Sequence, residues 1–303
     1  MDRDSLSARL ANGPLLLDGP TGTELERRGY RTTLPLWTAL AVRQAPDTLG
    51  DVHDDYVRAG ADILTASTFR TNRYTLAKLG LATEACSLTR ESVAIARRSA
   101  ACAHKPVLIA GSVAPLEDCY RPERTPDERT LQREHSAQVE SLATCGVDLL
   151  LVETMPTLRE AQVAAGAAVA AGLPVIVSFV VRSGRRLLGG RALAEALESI
   201  AQLEVAALSV NCAAPECCSE AMQDLASCGR RFGAYANCST PAATFGNAPS
   251  QLEVAQYART VAGWLRAGAS VVGGCCGTGP RHIEALRTLI DSTKAPFSGG
   301  QRL

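Results

Sequence analysis

Two adjacent cysteines, Cys275 and Cys276, stand in a glycine frame that suits metal binding. Residues 271–278 are Val-Val-Gly-Gly-Cys-Cys-Gly-Thr. The valine pair is typical of the end of a buried strand, and the glycines permit backbone turns that a side chain would block. Pro280 then opens a segment with helical apolar spacing. The thiols therefore lie where a strand passes into a helix, and two such thiolates can bind one metal ion. Burial as small core residues is the alternative, since free cysteine is often buried.

Cys212 is the third thiol of interest, because it directly follows a strand-like run at residues 205–211. One further run, at residues 232–237, separates it from the cysteine pair. Neighbouring strands lie about 4.8 Å apart, so the tips of strands six and eight should lie within about 10 Å of each other. Three protein ligands with an open fourth position are typical of catalytic zinc. Cys238, at the end of the intervening run, stays open as a fourth ligand that would close the site.

The chemistry of such a site follows from its ligands. Three thiolates carry more negative charge than Zn²⁺ carries positive charge, which makes the ion a weak activator of water. A substrate thiol in the open position would be deprotonated at neutral pH, although a free thiol has a pKa of about 8.5. Its sulfur would stay electron-rich and would attack an electrophilic carbon, which favours a cationic methyl donor. The donor set therefore predicts thiol alkylation.

The elements that would position these thiols alternate regularly along the chain. Eight short apolar runs predict strands buried on both faces of a parallel sheet, with helices between them. Eight such units in 303 residues indicate a closed (β/α)8 barrel, with an open doubly wound sheet as the less favoured choice. The strands are predicted at residues 15–18, 62–66, 107–111, 147–153, 174–179, 205–211, 232–237 and 270–274, and the helices at 46–58, 84–101, 131–145, 157–171, 192–203, 250–267 and from Pro280 onward.

A single domain is expected over residues 1–303, with a core at about 12–292 and a frayed tail at 294–303. The Pro-rich and charged segment 113–129 is a candidate lid over the barrel mouth. In such barrels chemistry occurs at the carboxyl ends of the strands. Polar and thiol residues gather at these predicted ends, which a purely structural protein would not need.

Composition favours small-molecule chemistry in a reducing compartment. The eleven cysteines are odd in number, and the polar N-terminus leads into no signal peptide or membrane span, so a cytoplasmic protein with free or metal-bound thiols is expected. The formal net charge is zero, so neither a nucleic-acid nor a membrane partner is expected. The residues predicted to be structural or to lie at the surface are Cys86, Cys102, Cys119, Cys145, Cys228, the helical Cys217 and Cys218, and the histidines His53, His104, His135 and His282.

The order of several motifs resembles the homocysteine S-methyltransferase family. The resemblance covers residues 12–292 and is most specific at the Gly-Gly-Cys-Cys-Gly-Thr segment. The other matching motifs are Asp-Gly-Pro-Thr-Gly-Thr-Glu-Leu at 18–25, Pro-Leu-Trp at 35–37, Arg-Ala-Gly-Ala-Asp-Ile at 58–63, Thr-Ala-Ser-Thr-Phe at 65–69, Gly-Ser-Val at 111–113, Glu153-Thr154 and Asn211-Cys212.

The resemblance implies a (β/α)8 barrel with Zn²⁺ on Cys212, Cys275 and Cys276, and homocysteine as the methyl acceptor. It further implies that four residues contact the amino-acid end of homocysteine. Carboxylates suit its ammonium group, while backbone and hydroxyl donors suit its carboxylate. These four residues are Asp18, Gly19, Thr68 and Glu153, and Asn211 beside the first cysteine is predicted as a further substrate contact.

The expected donor is a sulfonium compound, S-methylmethionine or S-adenosylmethionine. The C-terminal dimerising extension of the betaine-using branch has no counterpart in the sequence, which argues against betaine. The seventh strand ends in Ala-Asn-Cys-Ser-Thr at 236–240, whereas the S-methylmethionine-using enzymes usually have Pro-Asn-Ser-Gly-Glu. Candidate aromatic residues for binding a cationic donor are Trp37, Phe69, Tyr120 and Tyr235.

Three alternatives stay open at this point. A Schiff-base lyase is disfavoured, because none of the lysines (Lys78, Lys105 and Lys294) follows a predicted strand. A non-catalytic or redox-sensing zinc protein would use Cys238 to close the site. A different thiol or selenol acceptor would use the same metal site. A monomer or small homo-oligomer is expected.

Overall fold

The computed structural model of the chain describes residues 3–238 and 253–294. Eight parallel strands form one sheet, and a two-stranded antiparallel hairpin follows the fifth of them. The strands are β1 (Leu15–Leu16), β2 (Ile63–Ala66), β3 (Leu108–Val113), β4 (Leu149–Met155), β5 (Val175–Phe179), the hairpin β6 (Val181–Arg182) and β7 (Arg186–Leu187), then β8 (Ala207–Asn211), β9 (Phe232–Tyr235) and β10 (Val271–Val272).

The sheet closes into a barrel, which confirms the predicted fold class. Its strand order is β1-β10-β9-β8-β5-β4-β3-β2. A parallel bridge between Leu17 and Ile63 joins the first strand of this order to the last. Two hydrogen bonds flank the bridge, from Asp62 N to Leu16 O at 2.8 Å and from Asp18 N to Ile63 O at 3.0 Å. No strand edge is left open at this seam.

The helices cover the outside of the barrel, and most lie where apolar spacing predicts them. The helix predicted at 131–145 begins earlier because the Asp127 side chain caps it by accepting a hydrogen bond from Thr130 N at 3.0 Å. The helices are α1 (Arg3–Ala11), α2 (Thr21–Arg27), α3 (Ala41–Gln44), α4 (Pro46–Arg58), α5 (Arg73–Ala77), α6 (Ala85–Ala101), α7 (Glu128–Thr144), α8 (Leu158–Ala170), α9 (Leu193–Ile200), α10 (Pro215–Ser227), α11 (Val254–Arg266) and α12 (Pro280–Lys294).

Two predicted segments extend beyond the described residues. The first three residues of the helix predicted at 250–267 and the tail at 295–303 both lie outside the described residues. Among the helices of the described ranges, none combines the length and apolarity needed to cross a bilayer.

Helix α1 closes the amino-terminal end of the barrel, a role that the sequence analysis did not predict. Its Leu6 and Leu10 are buried in the same cluster as the inward-facing strand residues. Arg9 Nη2 donates to the carbonyl of Pro106, just before β3, at 3.2 Å. The amino-terminal end is therefore plugged, and the carboxyl end of the barrel is left for ligands. The larger core cluster lies between the sheet and the outer helices.

One glycine shows how tightly neighbouring strands of the barrel are packed. A Cβ atom on Gly233 in β9 would lie 2.2 Å from the backbone oxygen of Val271. We expect Gly233→Ala to lower the free energy of unfolding by about 1–3 kcal/mol, because the backbone has to shift. Gly166→Ala in α8 is the control: a Cβ there has no atom within 4 Å, and alanine should stabilise the helix by about 0.5–1 kcal/mol. Urea denaturation measures both, and equal stabilities of the two variants would contradict this account.

Candidate metal centre and substrate pocket

The loop that carries the cysteine pair has a tight internal geometry. A Cβ atom on Gly274 would lie 2.2 Å from Thr278 Oγ1, so only glycine fits. The Thr278 hydroxyl donates to the carbonyl of Cys275 at 2.8 Å, and the Thr278 amide donates to the same oxygen at 3.0 Å. This local network turns the chain sharply after β10 and presents both thiols at the barrel mouth.

Helix α2 holds the same loop from the other end of the sequence. Arg27 Nη1 donates to the carbonyl of Thr278 and its Nη2 to that of Gly277, each at 2.7 Å. Thr23 Oγ1 accepts a hydrogen bond from Gly277 N at 3.2 Å. Helix α2, which contains most of the motif at residues 18–25, therefore fixes the backbone of the cysteine loop.

The structure brings together the three predicted metal ligands. Cys212 has a φ of 53°, an uncommon conformation for a residue other than glycine, at the end of β8. Its Sγ lies 3.9 Å from Cys276 Sγ, and all three Sγ atoms, including that of Cys275, lie within 4.8 Å of one another. Tetrahedral Zn–S bonds of about 2.3 Å place sulfur atoms about 3.8 Å apart, so this group needs little adjustment to hold Zn²⁺.

The charge balance of the three thiols also suits a cation. Hydrogen bonds from Cys275 and Cys276 lower the pKa of Cys212 well below its ordinary value. The same contact with Cys212 raises the pKa of both Cys275 and Cys276 well above it. Ionisation of Cys212 is therefore favoured, while ionisation of Cys275 and Cys276 is disfavoured. A divalent cation would remove this conflict, since thiolates are the metal-binding form of cysteine.

Cys238 supports the site through its backbone. Its amide donates to the carbonyl of Cys276 at 2.8 Å. Within the described ranges the metal-binding group contains three thiols, and the sulfur of Cys238 is outside it. Burial raises the pKa of Cys238 to about 12, which favours the neutral thiol. Ser239 and Thr240, where the seventh strand departs from the family pattern, lie outside the described residues.

A cavity of about 1000 Å³, including its open mouth, lies over the three thiols. Asp18, Gly19 and Glu153 line it, and their contact with a substrate stays a prediction. Asp18 is buried, and its two oxygens accept hydrogen bonds from Thr65 N at 2.8 Å and Thr65 Oγ1 at 2.9 Å. A Cβ atom on Gly19 would lie 2.6 Å from Tyr56 Oη, so the backbone there is packed too closely for a side chain.

A β-bulge directs Glu153 into this cavity. The register of β4 against β5 shifts between Val152 and Met155, and Thr154 has a φ of 60°. Asn211 stabilises the bulge, because its Oδ1 accepts from Thr154 N at 3.0 Å and its Nδ2 donates to Thr154 Oγ1 at 2.9 Å. A strained, β-branched residue beside a candidate site is a common functional feature.

Glu153 and Asp18 form an acidic pair, and neither makes an ion pair with another residue in the described part of the chain. Ser112 Oγ donates to Glu153 Oε1 at 2.5 Å and Tyr235 Oη donates to its Oε2 at 3.2 Å. Burial raises the pKa of Glu153 to about 7, and burial together with the nearby charge of Glu153 raises that of Asp18 to about 8. An ammonium group between them would offset both effects.

Two predicted substrate contacts do not line the cavity. The Thr68 hydroxyl donates to the carbonyl of Ser112 and accepts from its amide, each at 3.0 Å. Asn211 is engaged with Thr154, as described above. Both side chains are fully buried and hold residues that do line the cavity. A direct contact of Thr68 or Asn211 with a substrate stays a prediction.

The segment predicted as a lid contributes residues 118–120 to the cavity wall. Tyr120 Oη lies 3.0 Å from Cys212 Sγ and 3.1 Å from the Cys212 carbonyl oxygen. Cys119, interpreted from sequence as a packing or surface residue, is buried there and lines the cavity. The sequence analysis missed the contact between Tyr120 and Cys212, because no local pattern indicates the direction of a side chain in this segment. The four candidate aromatic residues, Trp37, Phe69, Tyr120 and Tyr235, all line the cavity.

Comparison with known proteins agrees with this geometry. A family model described as homocysteine S-methyltransferase matches residues 15–290. A homocysteine S-methyltransferase of Escherichia coli is 32% identical, with 90% of this chain and 94% of that protein aligned. A selenocysteine Se-methyltransferase of Brassica oleracea is 28% identical, with 94% of this chain and 91% of that protein aligned.

The crystal structure of the homocysteine methyltransferase MmuM from Escherichia coli in its metallated form has a TM-score of 0.82 to this chain. The two are 32% identical, and the alignment covers 94% of this chain and 99% of that one. The oxidised form of the same enzyme has a TM-score of 0.80, with 91% of this chain and 96% of that one covered. On the extent of the family match and on these identities, the chain belongs to the homocysteine S-methyltransferase family.

Proposed function

We propose that this protein transfers a methyl group from a sulfonium donor to the sulfur of homocysteine, giving methionine. The observation that carries the proposal is the convergence of three thiols beneath a cavity that also contains two buried carboxylates. Cys212, Cys275 and Cys276 would hold Zn²⁺, the ion that a sulfur-rich, tetrahedral ligand set favours. When bound there, the ion would lower the pKa of the substrate thiol and keep the sulfur nucleophilic.

The protein's own residues would bind and orient the acceptor. Asp18 and Glu153 would pair with the ammonium group of homocysteine, while the backbone at Gly19 would face its carboxylate. We assign Thr68 and Asn211 to the same amino-acid subsite, where their hydrogen bonds position its walls. With both reactants held in line, the homocysteine sulfur attacks the methyl carbon and the C–S bond of the donor breaks. Its electron pair stays on the donor sulfur, which leaves as a neutral thioether.

The aromatic side chains favour a cationic donor over a neutral one. Trp37 and Phe69 meet edge to face, with centroids 5.5 Å apart and planes at 80°, and both line the cavity. The faces of such rings attract a sulfonium cation. S-methylmethionine and S-adenosylmethionine are the proposed donors. We also propose a cytoplasmic location and a monomer or small homo-oligomer that acts on small molecules alone.

The test is an assay with purified, reduced and zinc-loaded protein and a panel of donors. Homocysteine is offered together with S-methylmethionine, S-adenosylmethionine or betaine, and methionine is quantified. We expect turnover with a sulfonium donor and none with betaine. Removal of the metal with a chelator should abolish turnover, and added Zn²⁺ should restore it. Turnover that is unchanged by metal removal would contradict the proposal.

A selenol acceptor is the second candidate, because a relative that aligns over 94% of this chain is a selenocysteine Se-methyltransferase. The same assay with selenocysteine in place of homocysteine distinguishes the two acceptors. A higher kcat/KM for selenocysteine would reassign the physiological acceptor while leaving the metal site unchanged.

A further inference from the structure

Arg70 is a buried cation in the wall of the cavity, and its guanidinium group is only partly used. Its Nη1 donates to the carbonyls of Pro115 at 2.9 Å and Glu117 at 3.0 Å. Nε is buried without a hydrogen-bond partner. The residue is 5% exposed, and its guanidinium carbon lies 4.9 Å from the centre of the Phe69 ring. The lid therefore occupies one edge of the group, and the edge formed by Nε and Nη2 is unused within residues 3–238 and 253–294.

No carboxylate in these ranges forms an ion pair with Arg70 within 4.0 Å. The carboxylates that act on it from farther away are those of Asp118, Glu117 and Glu160. A buried guanidinium group without a close anion is costly. Arginine presents its donors as a planar fork that matches a carboxylate with two parallel hydrogen bonds. An anionic ligand in the cavity would supply the missing partner.

The charges of the cavity wall fit two amino acids. Arg70 is the one cation among the described lining residues, and the acidic groups are the carboxyl groups of Asp18, Glu153 and Asp118 together with the cysteine thiols. In the proposed function, Asp18 and Glu153 serve the ammonium of homocysteine. Arg70 and Asp118 are a second pair of opposite charge, located after β2 and in the lid. S-methylmethionine and S-adenosylmethionine each carry one α-carboxylate and one α-ammonium group beside the sulfonium.

We propose that Arg70 binds the α-carboxylate of the sulfonium methyl donor and that Asp118 faces its α-ammonium. This inference rests on the proposed function and narrows the donor to amino-acid sulfonium compounds. Phe69, against which Arg70 packs, lines the same cavity and presents an aromatic surface to the donor. Arg70 also donates hydrogen bonds to the lid carbonyls. The same side chain therefore binds the donor and holds the lid over the thiols.

The experiment must separate carboxylate recognition from the support that Arg70 lends to the lid. The ratio of kcat/KM for S-methylmethionine to kcat/KM for its α-carboxamide is measured in the wild-type enzyme, Arg70→Gln and Arg70→Lys. A charge-assisted bidentate contact predicts a wild-type ratio of roughly 10 to 100. In Arg70→Gln we expect the ratio to fall to within about threefold of one. Arg70→Lys, which keeps the charge and loses the fork, should be intermediate.

Each ratio is taken within one variant, so partial loss of folded protein does not affect it. Where turnover is too slow, the dissociation constants of the two donors measured by calorimetry give the same ratio. Arg121→Gln, which changes an exposed arginine of the segment 113–129, is the matched control and should keep the wild-type ratio. The parallel ratio for homocysteine and its carboxamide should be the same in the wild type and Arg70→Gln.

Two results would overturn the assignment. If Arg70→Gln lowers kcat/KM equally for S-methylmethionine and for its α-carboxamide, so that their ratio is unchanged, Arg70 only supports the lid. If the homocysteine ratio falls instead of the donor ratio, the carboxylate bound is that of the acceptor. Absence of turnover in the wild type with every donor would contradict the proposed function itself, and the two failures are thereby distinguished.

Discussion

Replacing Cys276 with serine is expected to remove stoichiometric zinc and to reduce the rate of methyl transfer to homocysteine by more than about 100-fold. Loss of a residue that only hydrogen-bonds to a metal ligand typically reduces metal affinity or activity by about 10- to 100-fold, and loss of a ligand itself should cost more. Serine has nearly the same volume, so the fold should persist. Its hydroxyl is not deprotonated at neutral pH and is a poor substitute for a thiolate. Bound zinc per chain and the initial rate of methionine formation are the measurements. Undiminished turnover would refute the assignment of the metal site.

Cys238→Ser is the matched control for this prediction. Cys238 is also buried and is joined to Cys276 through a backbone hydrogen bond, but its sulfur is outside the three-thiol group. Its replacement should leave zinc content at the wild-type level. Loss of zinc in this variant would indicate a fourth protein ligand and favour the closed, non-catalytic site. Both proteins must be kept reduced, because the 3.9 Å approach of Cys212 and Cys276 is close enough for a disulfide after modest movement.

Glu153→Gln is expected to weaken homocysteine binding and, at the same time, to stabilise the metal-free protein. The loss of one charge-assisted partner for the substrate ammonium should raise the KM for homocysteine roughly 10- to 100-fold at pH 8. Burial raises the pKa of Glu153 from 4.5 to about 7 in the folded protein. The folded protein therefore holds this proton more tightly than the unfolded chain, and the stability falls as pH rises from about 4.5 through 7.

This rise in the pKa of Glu153 lowers the free energy of unfolding by about 3 kcal/mol at pH 8, and the Glu153→Gln variant should regain part of that stability. The recovery is incomplete because a neutral amide makes weaker hydrogen bonds with Ser112 Oγ and Tyr235 Oη than the carboxyl group does. Urea denaturation at pH 5 and pH 8 should show little difference from the wild type at pH 5 and a stabilised variant at pH 8. Glu195→Gln, on an exposed carboxylate, should match the wild type at both values. A variant that is less stable at pH 8 would contradict the assigned cause.

Both predictions concern residues that the sequence analysis had already identified. These residues could be identified because their positions follow from short sequence patterns. Asp18, Glu153, Cys212 and the Cys275-Cys276 pair directly follow apolar runs, and in a parallel barrel all such positions meet at one end. The barrel and the convergence of the thiols could therefore be predicted from periodicity and spacing. The boundaries of most helices followed in the same way, since capping residues and apolar faces are encoded within a few positions.

Other features depend on atoms that are distant in sequence. The Asn211 side chain points to Thr154 rather than into the cavity because the bulge in β4 offers it a donor and an acceptor. Tyr120 reaches Cys212, although the two are 92 residues apart. Arg70 directly follows a recognised motif, yet its burial depends on the carbonyls of Pro115 and Glu117, and its Nε has no hydrogen-bond partner among the described residues.

The sequence by itself determined the strand–helix alternation, the end of the barrel where chemistry occurs, and the residue types that gather there, because each of these follows from short-range patterns. The tertiary structure alone decided which side chains at that end face the cavity and which support its walls. That choice depends on side-chain rotamers and on hydrogen bonds between separate loops, which compete for the same donors and acceptors and have no counterpart in a local pattern.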